Sequence, residues 1–369
     1  MKSQFVVAAV LILAFSSLVA GYYYFTGTVT PPMQEERPAV QAPAEVGKTA
    51  HLEAAERIQS FIDTRRTEDG YYRYSYNCEN GLETDCGLDL VYGSTNSWTA
   101  LSNLRLYQAT GDQAYLEKAR RDADAVMDWC DAQPDDGKIC LWILVQISEL
   151  YEETGDQRYA DFLLGKGEML LGIINDKDPD VVWQRNSTMM IGIDARELAA
   201  IYKLNGDQRY IDEAKIRVKE AYFGTPDNYP LYQFNGNNYL ENSCWPELAN
   251  MEIYEATGDQ ASLEQALDLL DTLDPATNVF YMNFLTNLQS CNELYLKAYE
   301  ATGDKKYLEG AVKMADFVLA DRWDTPENNL VSGSGTILSD DYSKVDTLTD
   351  AAYMVAILSQ IHSMEAAAA

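Results

Sequence analysis

Carboxylic acids set among apolar residues are the part of this sequence best suited to chemistry. Asp194 follows Met-Met-Ile-Gly-Ile; a carboxylate buried alone there is costly, and its pKa rises. Pairing with Arg185 or Arg196 is the alternative reading. Asp89 lies in the apolar-aromatic run Gly-Leu-Asp-Leu-Val-Tyr-Gly. Glu247 follows Pro246 at a predicted helix start, where the helix dipole favours an ionised carboxylate; capping is its plainer role. Asp341 precedes the last apolar stretch. A protonated acid facing an ionised base is what acid–base hydrolysis requires. Asp194 or Asp89 is the candidate acid, and Glu247 or Asp341 the candidate base. Asp85, Glu197, Glu241, Glu293, Asp340, Asp346 and Asp350 occupy similar positions.

Aromatic residues alternate with amides and acids in the same regions, as in NYPLYQFNGNNYLENSCW and VVWQRNST. Sugars present apolar faces ringed by hydroxyls, which such sets can match. Trp98, Trp142, Trp183, Trp245 and Tyr92 are the expected carbohydrate contacts, and Trp323 lies in the same regions. The chain has 28 Lys+Arg against 58 Asp+Glu, a net charge of −30. That balance excludes phosphate-neutralising contacts to nucleic acid. There is no phosphate loop, dinucleotide fingerprint, G-x-S-x-G elbow or HExxH. With no CxxC and only His51 and His362, neither a cofactor nor a metal is expected.

What must position these residues is a repeat. Five segments share one pattern: LYQATGDQAYLEKA, LYEETGDQRYADFL, IYKLNGDQRYIDEA, IYEATGDQASLEQA and AYEATGDKKYLEGA. Their glycines, Gly111, Gly155, Gly206, Gly258 and Gly303, stand 44 to 52 residues apart. Each Gly can end a helix in the left-handed conformation, and the Asp after it can cap the next. Tyr stands four residues before every one of these glycines, and four after all but Gly258, where Ser262 takes the place. The helices before the corners are apolar or small, and those after are amphipathic and charged, which predicts inner and outer layers. Inner helices are predicted near 96–109, 140–153, 189–204, 244–256, 289–301 and 346–363. Outer helices are predicted near 51–66, 113–131, 157–174, 208–222, 260–272 and 305–321. The corners lie at one rim. The long connections, where sites are usually built, lie at the other.

The hairpin count and these corners resemble the six-hairpin (α/α)6-toroid glycosidase superfamily over about residues 51–364. The resemblance implies an all-α toroid with a central funnel, and glycoside hydrolysis by a carboxyl pair. Adjacent aspartates on an inner helix, as in the alpha-mannanase type, are missing here: Asp135-Asp136 and Asp340-Asp341 fall in connections. A polysaccharide lyase would need a Tyr or His, which the tyrosines of 71–76 keep open. A non-catalytic glycan-binding or cell-surface domain is the other alternative. A tetratricopeptide superhelix would repeat at about 34 residues, shorter than observed.

Residues 5–25 are almost wholly apolar and end in Tyr22, Tyr23 and Tyr24, long enough for a bilayer span. Residues 1–25 are therefore expected to be a membrane anchor, with a signal peptide as the alternative. Residues 26–50 form a Pro-rich linker. Membrane contact through that helix, and a place on the extracellular face or in the medium, follow. The even set Cys78, Cys86, Cys130, Cys140, Cys244 and Cys291 then suggests disulfides. The hairpin topology favours Cys78–Cys86, Cys130–Cys140 and Cys244–Cys291.

Overall fold

The computed structural model describes residues 49–68, 70–72, 92–132, 140, 143–175, 188–223, 244–273, 285–324, 329–330 and 348–368. All fall in one compact unit, Ala42–Ala369. The expected anchor at 1–25 lies outside the described residues, as does nearly all of the linker. Among the described residues no helix is long and apolar enough to cross a membrane.

The described chain is helical. Six outer helices are α1 (Ala50–Asp63), α3 (Gln113–Ala132), α5 (Gln157–Asn175), α7 (Gln208–Phe223), α9 (Gln260–Thr272) and α11 (Lys305–Arg322). They alternate with six inner ones: α2 (Tyr92–Thr110), α4 (Leu144–Thr154), α6 (Thr188–Asn205), α8 (Cys244–Thr257), α10 (Leu285–Thr302) and α12 (Leu348–Ala368). A small antiparallel ribbon pairs β1 (Trp323–Asp324) with β2 (Asn329–Leu330).

The corners form as their residues require. The five glycines have φ between 65° and 73°, where any side chain is strained. Each donates its N–H to the carbonyl of the Tyr four residues earlier, at 2.7–2.8 Å. The Asp carboxylates cap the outer helices: Asp112 accepts from the Ala114 amide at 2.9 Å, and Asp156, Asp207, Asp259 and Asp304 do the same two residues on. The tyrosines after the corners tie each hairpin to the one before. Tyr210 donates to Glu168 at 2.9 Å, and Tyr159 and Tyr307 donate to Asp124 and Asp271.

Each inner helix contacts the next, and α12 returns to contact α2, so the inner ring is closed rather than an open spiral. The first outer helix, α1, packs on the last inner one, α12. Polar contacts fasten this seam. His51 bonds Asp316 at 3.0 Å and Glu365 at 3.2 Å, and Thr49 bonds His362 at 3.0 Å. The inner helices carry small residues where backbones meet. A Cβ on Gly192 of α6 would stand 2.5 Å from the Trp245 carbonyl carbon of α8. The Cys130–Cys140 and Cys244–Cys291 disulfides are both present, with Cα–Cα distances of 5.6 and 5.0 Å. The second joins α8 to its ring neighbour α10. Cys78 and Cys86 lie outside the described residues.

Candidate functional site

The inner helices all run from the rim of the long connections to the rim of the corners, so their inward faces share one bore. Toward its corner end, side chains from all six converge. Arg196 of α6 donates to Glu252 of α8 at 3.3 Å and to both carboxylate oxygens of Glu293 of α10. Tyr353 of α12 donates its hydroxyl to Glu293. Lys297 of α10 lies 3.0 Å from Glu252 and 2.9 Å from Glu255. Lys203 reaches Glu152, Glu252 and Glu255 at 3.4–3.5 Å. Arg105 of α2 pairs with Glu149 of α4 at 2.5 Å. Four cations (Arg105, Arg196, Lys203 and Lys297) thus meet five carboxylates (Glu149, Glu152, Glu252, Glu255 and Glu293), so the plug is nearly balanced inside a strongly acidic protein.

The electrostatics follow from that geometry. Burial alone would raise the pKa of Glu252, but Lys297, Lys203 and Arg196 hold it well below the usual carboxylate range. Burial pushes Glu149 and Glu255 upward against the pull of Arg105 and Lys297 respectively. Burial, then the charge of Glu293, raises the Tyr353 hydroxyl well above the ordinary phenol value. Burial would lower the Arg196 pKa, yet Glu293 and Glu252 hold it higher than usual. Broken singly, such pairs strand a buried charge.

Aromatic residues lie on the connection side of this plug. Trp98 of α2 stacks on Tyr353 with ring centroids 3.9 Å apart, and Trp245 of α8 approaches the same ring at 6.5 Å. Trp98 stands seven residues before Arg105, and Trp245 seven before Glu252. Seven residues are about two helical turns, so each pair shares a face. Two amides sit one turn above the plug. Gln289, four residues before Glu293, donates Nε2 to the Asp350 carbonyl at 2.7 Å, which leaves its Oε1 buried and without a hydrogen-bond partner. Gln146, three before Glu149, is 5% exposed, with its Oε1 likewise unpartnered. A buried acceptor left unpaired costs about 1–3 kcal/mol.

The candidate residues separate by face. Trp98 and Trp245 are buried against the Tyr353 ring, on the inner side of the ring of helices. Asp194 is fully buried between the layers and accepts from Arg217 of outer helix α7 at 3.1 Å. Arg196, one of its expected partners, faces the bore instead. Glu247 opens α8 and accepts from Asn250 at 2.9 Å. It lies five residues from Glu252, about 140° around the helix, away from the bore face. Asp89, Asp341, Trp142 and Trp183 lie outside the described residues, and Tyr92 is described only as the first residue of α2. Of the 71–76 tyrosines, Tyr71 and Tyr72 are described. Tyr71 lines a groove on the outer wall with residues of α3, and Tyr72 is buried near Asp122 of the same helix. Among the described residues no cluster of His, Cys, Asp or Glu could hold a metal ion. The Arg196–Glu293–Tyr353 set is what sequence reasoning missed. Glu293 is among the predicted funnel acids, but its partners are not.

No family model matches the chain. Its fold, an (α/α)6 toroid, is similar to that of several solved structures at low sequence identity. A family 76 glycoside hydrolase (mannosidase) from Bacteroides thetaiotaomicron aligns with a TM-score of 0.60 at 13% identity, over 87% of this chain and 100% of that one. An unsaturated glucuronyl hydrolase specific for heparin aligns at 0.58 and 12%, over 85% and 97%. An inactive variant of an alpha-1,6-mannanase from a Salegentibacter species, in complex with alpha-1,6-mannotriose, aligns at 0.57 and 15%, over 85% and 99%.

Proposed function

We propose that this protein binds a glycan at the connection-side end of its bore and hydrolyses a glycosidic bond there. The observation that carries the reading is the convergence of Trp98, Tyr353 and Trp245 above a rigid ionic floor, with two buried amides one turn higher. Flat apolar surface beside fixed polar groups is what a sugar ring needs. The solved structures of the same fold named above are glycoside hydrolases, which supports the same assignment.

Hydrolysis requires one carboxyl to protonate the leaving glycosidic oxygen while another takes a proton from the attacking water. Asp194 and Glu247 are both engaged by structural partners, and Glu149, Glu152, Glu252, Glu255 and Glu293 are all paired with cations. The acid and base therefore come from the connections: Asp89, just before α2, and Asp341, just before α12. Those helices are ring neighbours. A lyase reading is weaker. Tyr353 donates its hydroxyl to Glu293, and its raised pKa makes it a poor base.

A binding-only reading has one observation in its favour, since among the described residues the carboxylates of the plug are already paired. Incubation with a panel of polysaccharides and analysis of products decides. The wild type is expected to release oligosaccharides from one of them, and Asp89→Asn and Asp341→Asn to lose turnover while still binding. Unchanged turnover in both variants rejects the assigned pair. Binding without turnover in the wild type leaves the non-catalytic reading. The two described disulfides support a place in an oxidising compartment outside the cytoplasm.

A further inference from the structure

The outer wall carries a feature that the bore does not explain. A groove of about 510 Å³ opens between α3 and the turn that follows α1, and its walls include Arg66, Tyr71, Arg120 and Arg121. Three guanidinium groups meet there, in a chain with a net charge of −30. We propose that this groove binds a compact oxyanion, the sulfate, phosphate or carboxylate group of a small ligand, on Arg66, Arg120 and Arg121. The groove lies on the outer layer, so the inference goes beyond the glycan reading and does not depend on it.

Two of the arginines are set in place from below. Arg66 donates Nε to the Gly70 carbonyl at 2.8 Å, and its guanidinium lies 5.9 Å from the centre of the Tyr72 ring. Its Nη2 stands 3.6 Å from Asp122 Oδ1, and Arg121 donates Nε and Nη2 to that same oxygen at 3.3 Å. Asp122 is fully buried, so a single carboxylate at the floor fixes two cations and neutralises the charge of one. Each guanidinium has five N–H donors. Among the described residues, Nη1 of Arg66 and Nη1 of Arg121 have no hydrogen-bond partner. Arg120 is exposed and makes no hydrogen bond or ion pair among them, although Asp156 stands near enough to feel its charge. The side chains of Arg66 and Arg121 are 23% and 45% exposed, so a ligand in the groove reaches them. Fixed guanidinium forks with unused donors are what carboxylates, sulfates and phosphates bind. Acids on the same walls set the size of the ligand. Asp124 is taken up by Arg158 and by the Tyr159 hydroxyl, both at 3.4 Å. Glu117 and Asp128 stand four residues before and seven after Arg121, about 6 and 10 Å along the helix axis. They border the arginines and repel an anion that extends further.

Asp122 ties occupancy to pH. Burial pushes its carboxyl up to about 6, so below that value it is neutral and both arginines lose their own counter-charge. An oxyanion in the groove is then held more tightly. The test is calorimetric titration of the full chain with sodium sulfate, whose charge is constant from pH 5 to pH 7.5, and with D-glucuronate. D-glucose, and sodium chloride at matched ionic strength, are the controls. At least one of the two oxyanions is expected to bind saturably, about tenfold more tightly at pH 5 than at pH 7.5. The tighter of the two tells an inorganic or ester anion from a sugar acid, and either bears the inference out. Arg120→Gln leaves the Asp122 cluster whole and is expected to weaken binding about tenfold, the loss of one charge-assisted hydrogen bond. Asp122→Asn is expected to tighten binding at pH 7.5 and to abolish its pH dependence. If that variant does not fold, Arg120→Gln and the pH comparison still decide. No saturable binding of either anion at pH 5, a response that chloride or glucose reproduces, an affinity constant with pH, or binding that Arg120→Gln leaves unchanged overturns the inference. None of these results touches the reading of the bore.

Discussion

Arg196 on α6 reaches past the intervening α8 to donate to Glu293 on α10, with Nη1 3.2 Å from Oε2. The pair ties two inner helices that are not ring neighbours. Removing one partner leaves the other charge buried and uncompensated, a loss of about 3–5 kcal/mol. Arg196→Met and Glu293→Gln are each expected to lower the unfolding free energy by about that much. The double variant is expected to recover part of the loss, because Glu252 keeps Lys297 at 3.0 Å. Urea unfolding of the four proteins closes the cycle. Strictly additive losses would show that the two residues do not act as a unit.

Tyr353 separates packing from hydrogen bonding in the same place. Its ring stacks on Trp98 and its hydroxyl donates to Glu293. Tyr353→Phe keeps the ring and removes a hydrogen bond to a charged group, an expected loss of about 1.5–3 kcal/mol. Tyr353→Ala also opens a cavity beneath Trp98 and should cost about 3–5 kcal/mol. Tryptophan emission is expected to shift in the Ala variant and not in the Phe variant. Equal losses in thermal melts would mean that the ring contributes nothing.

The fold was legible because its corners are local. A Gly at positive φ and an Asp two residues before the amide it caps need nothing from the rest of the chain, so five copies fixed the hairpins and their order. The bore was less legible because its parts become a unit only when the ring closes. Arg196, Glu252, Glu293 and Lys297 are ordinary helix residues taken one at a time. Asp194 stands out by its apolar surroundings, and Arg185 and Arg196 offer themselves as alternative partners only because they are close in sequence. Two residues along a helix is about 200° around it, so Asp194 and Arg196 face opposite layers. A usable signal was present: Trp98–Arg105 and Trp245–Glu252 are each seven residues apart, on the inner helices α2 and α8. That spacing marks one face.

The corners predict their own sensitivity. Gly258 has φ of 73° and nothing within 4 Å of where a Cβ would stand, so Gly258→Ala should cost only the backbone penalty, about 1–2 kcal/mol. Asp259→Ala removes the cap on the Ala261 amide and the 2.7 Å contact with Lys215, for about 1 kcal/mol. Gly310→Ala fails for another reason. Its Cβ would stand 2.7 Å from the Tyr295 ring, and Tyr295 donates to the Leu273 carbonyl at 3.2 Å. It should therefore cost about 1–3 kcal/mol through overpacking, and Tyr295→Leu should relieve it. Gly258→Ala gains nothing from that second change. Melting temperatures of the single and double variants check both statements.

Asp122 gives the fold a dependence on pH with a definite sign. Its side chain is fully buried on α3, with Arg121 at 3.3 Å, Arg66 at 3.6 Å and Asn103 at 3.3 Å. Burial pushes its carboxyl up to about 6, against the pull of Arg121 and Arg66. Between 3.8 and about 6 the folded chain holds a proton that the unfolded chain has released. The stability this supplies is full below the unfolded value and is lost as the pH rises through the folded one. A span of that size is worth about 3 kcal/mol. Asp122→Asn removes the titration, so its stability relative to wild type is expected to improve by about that amount from pH 4 to pH 7. Urea unfolding of both proteins across this range measures the difference. A difference that stays constant with pH would show that Asp122 is ionised in the folded protein throughout, with Arg66 and Arg121 outweighing its burial.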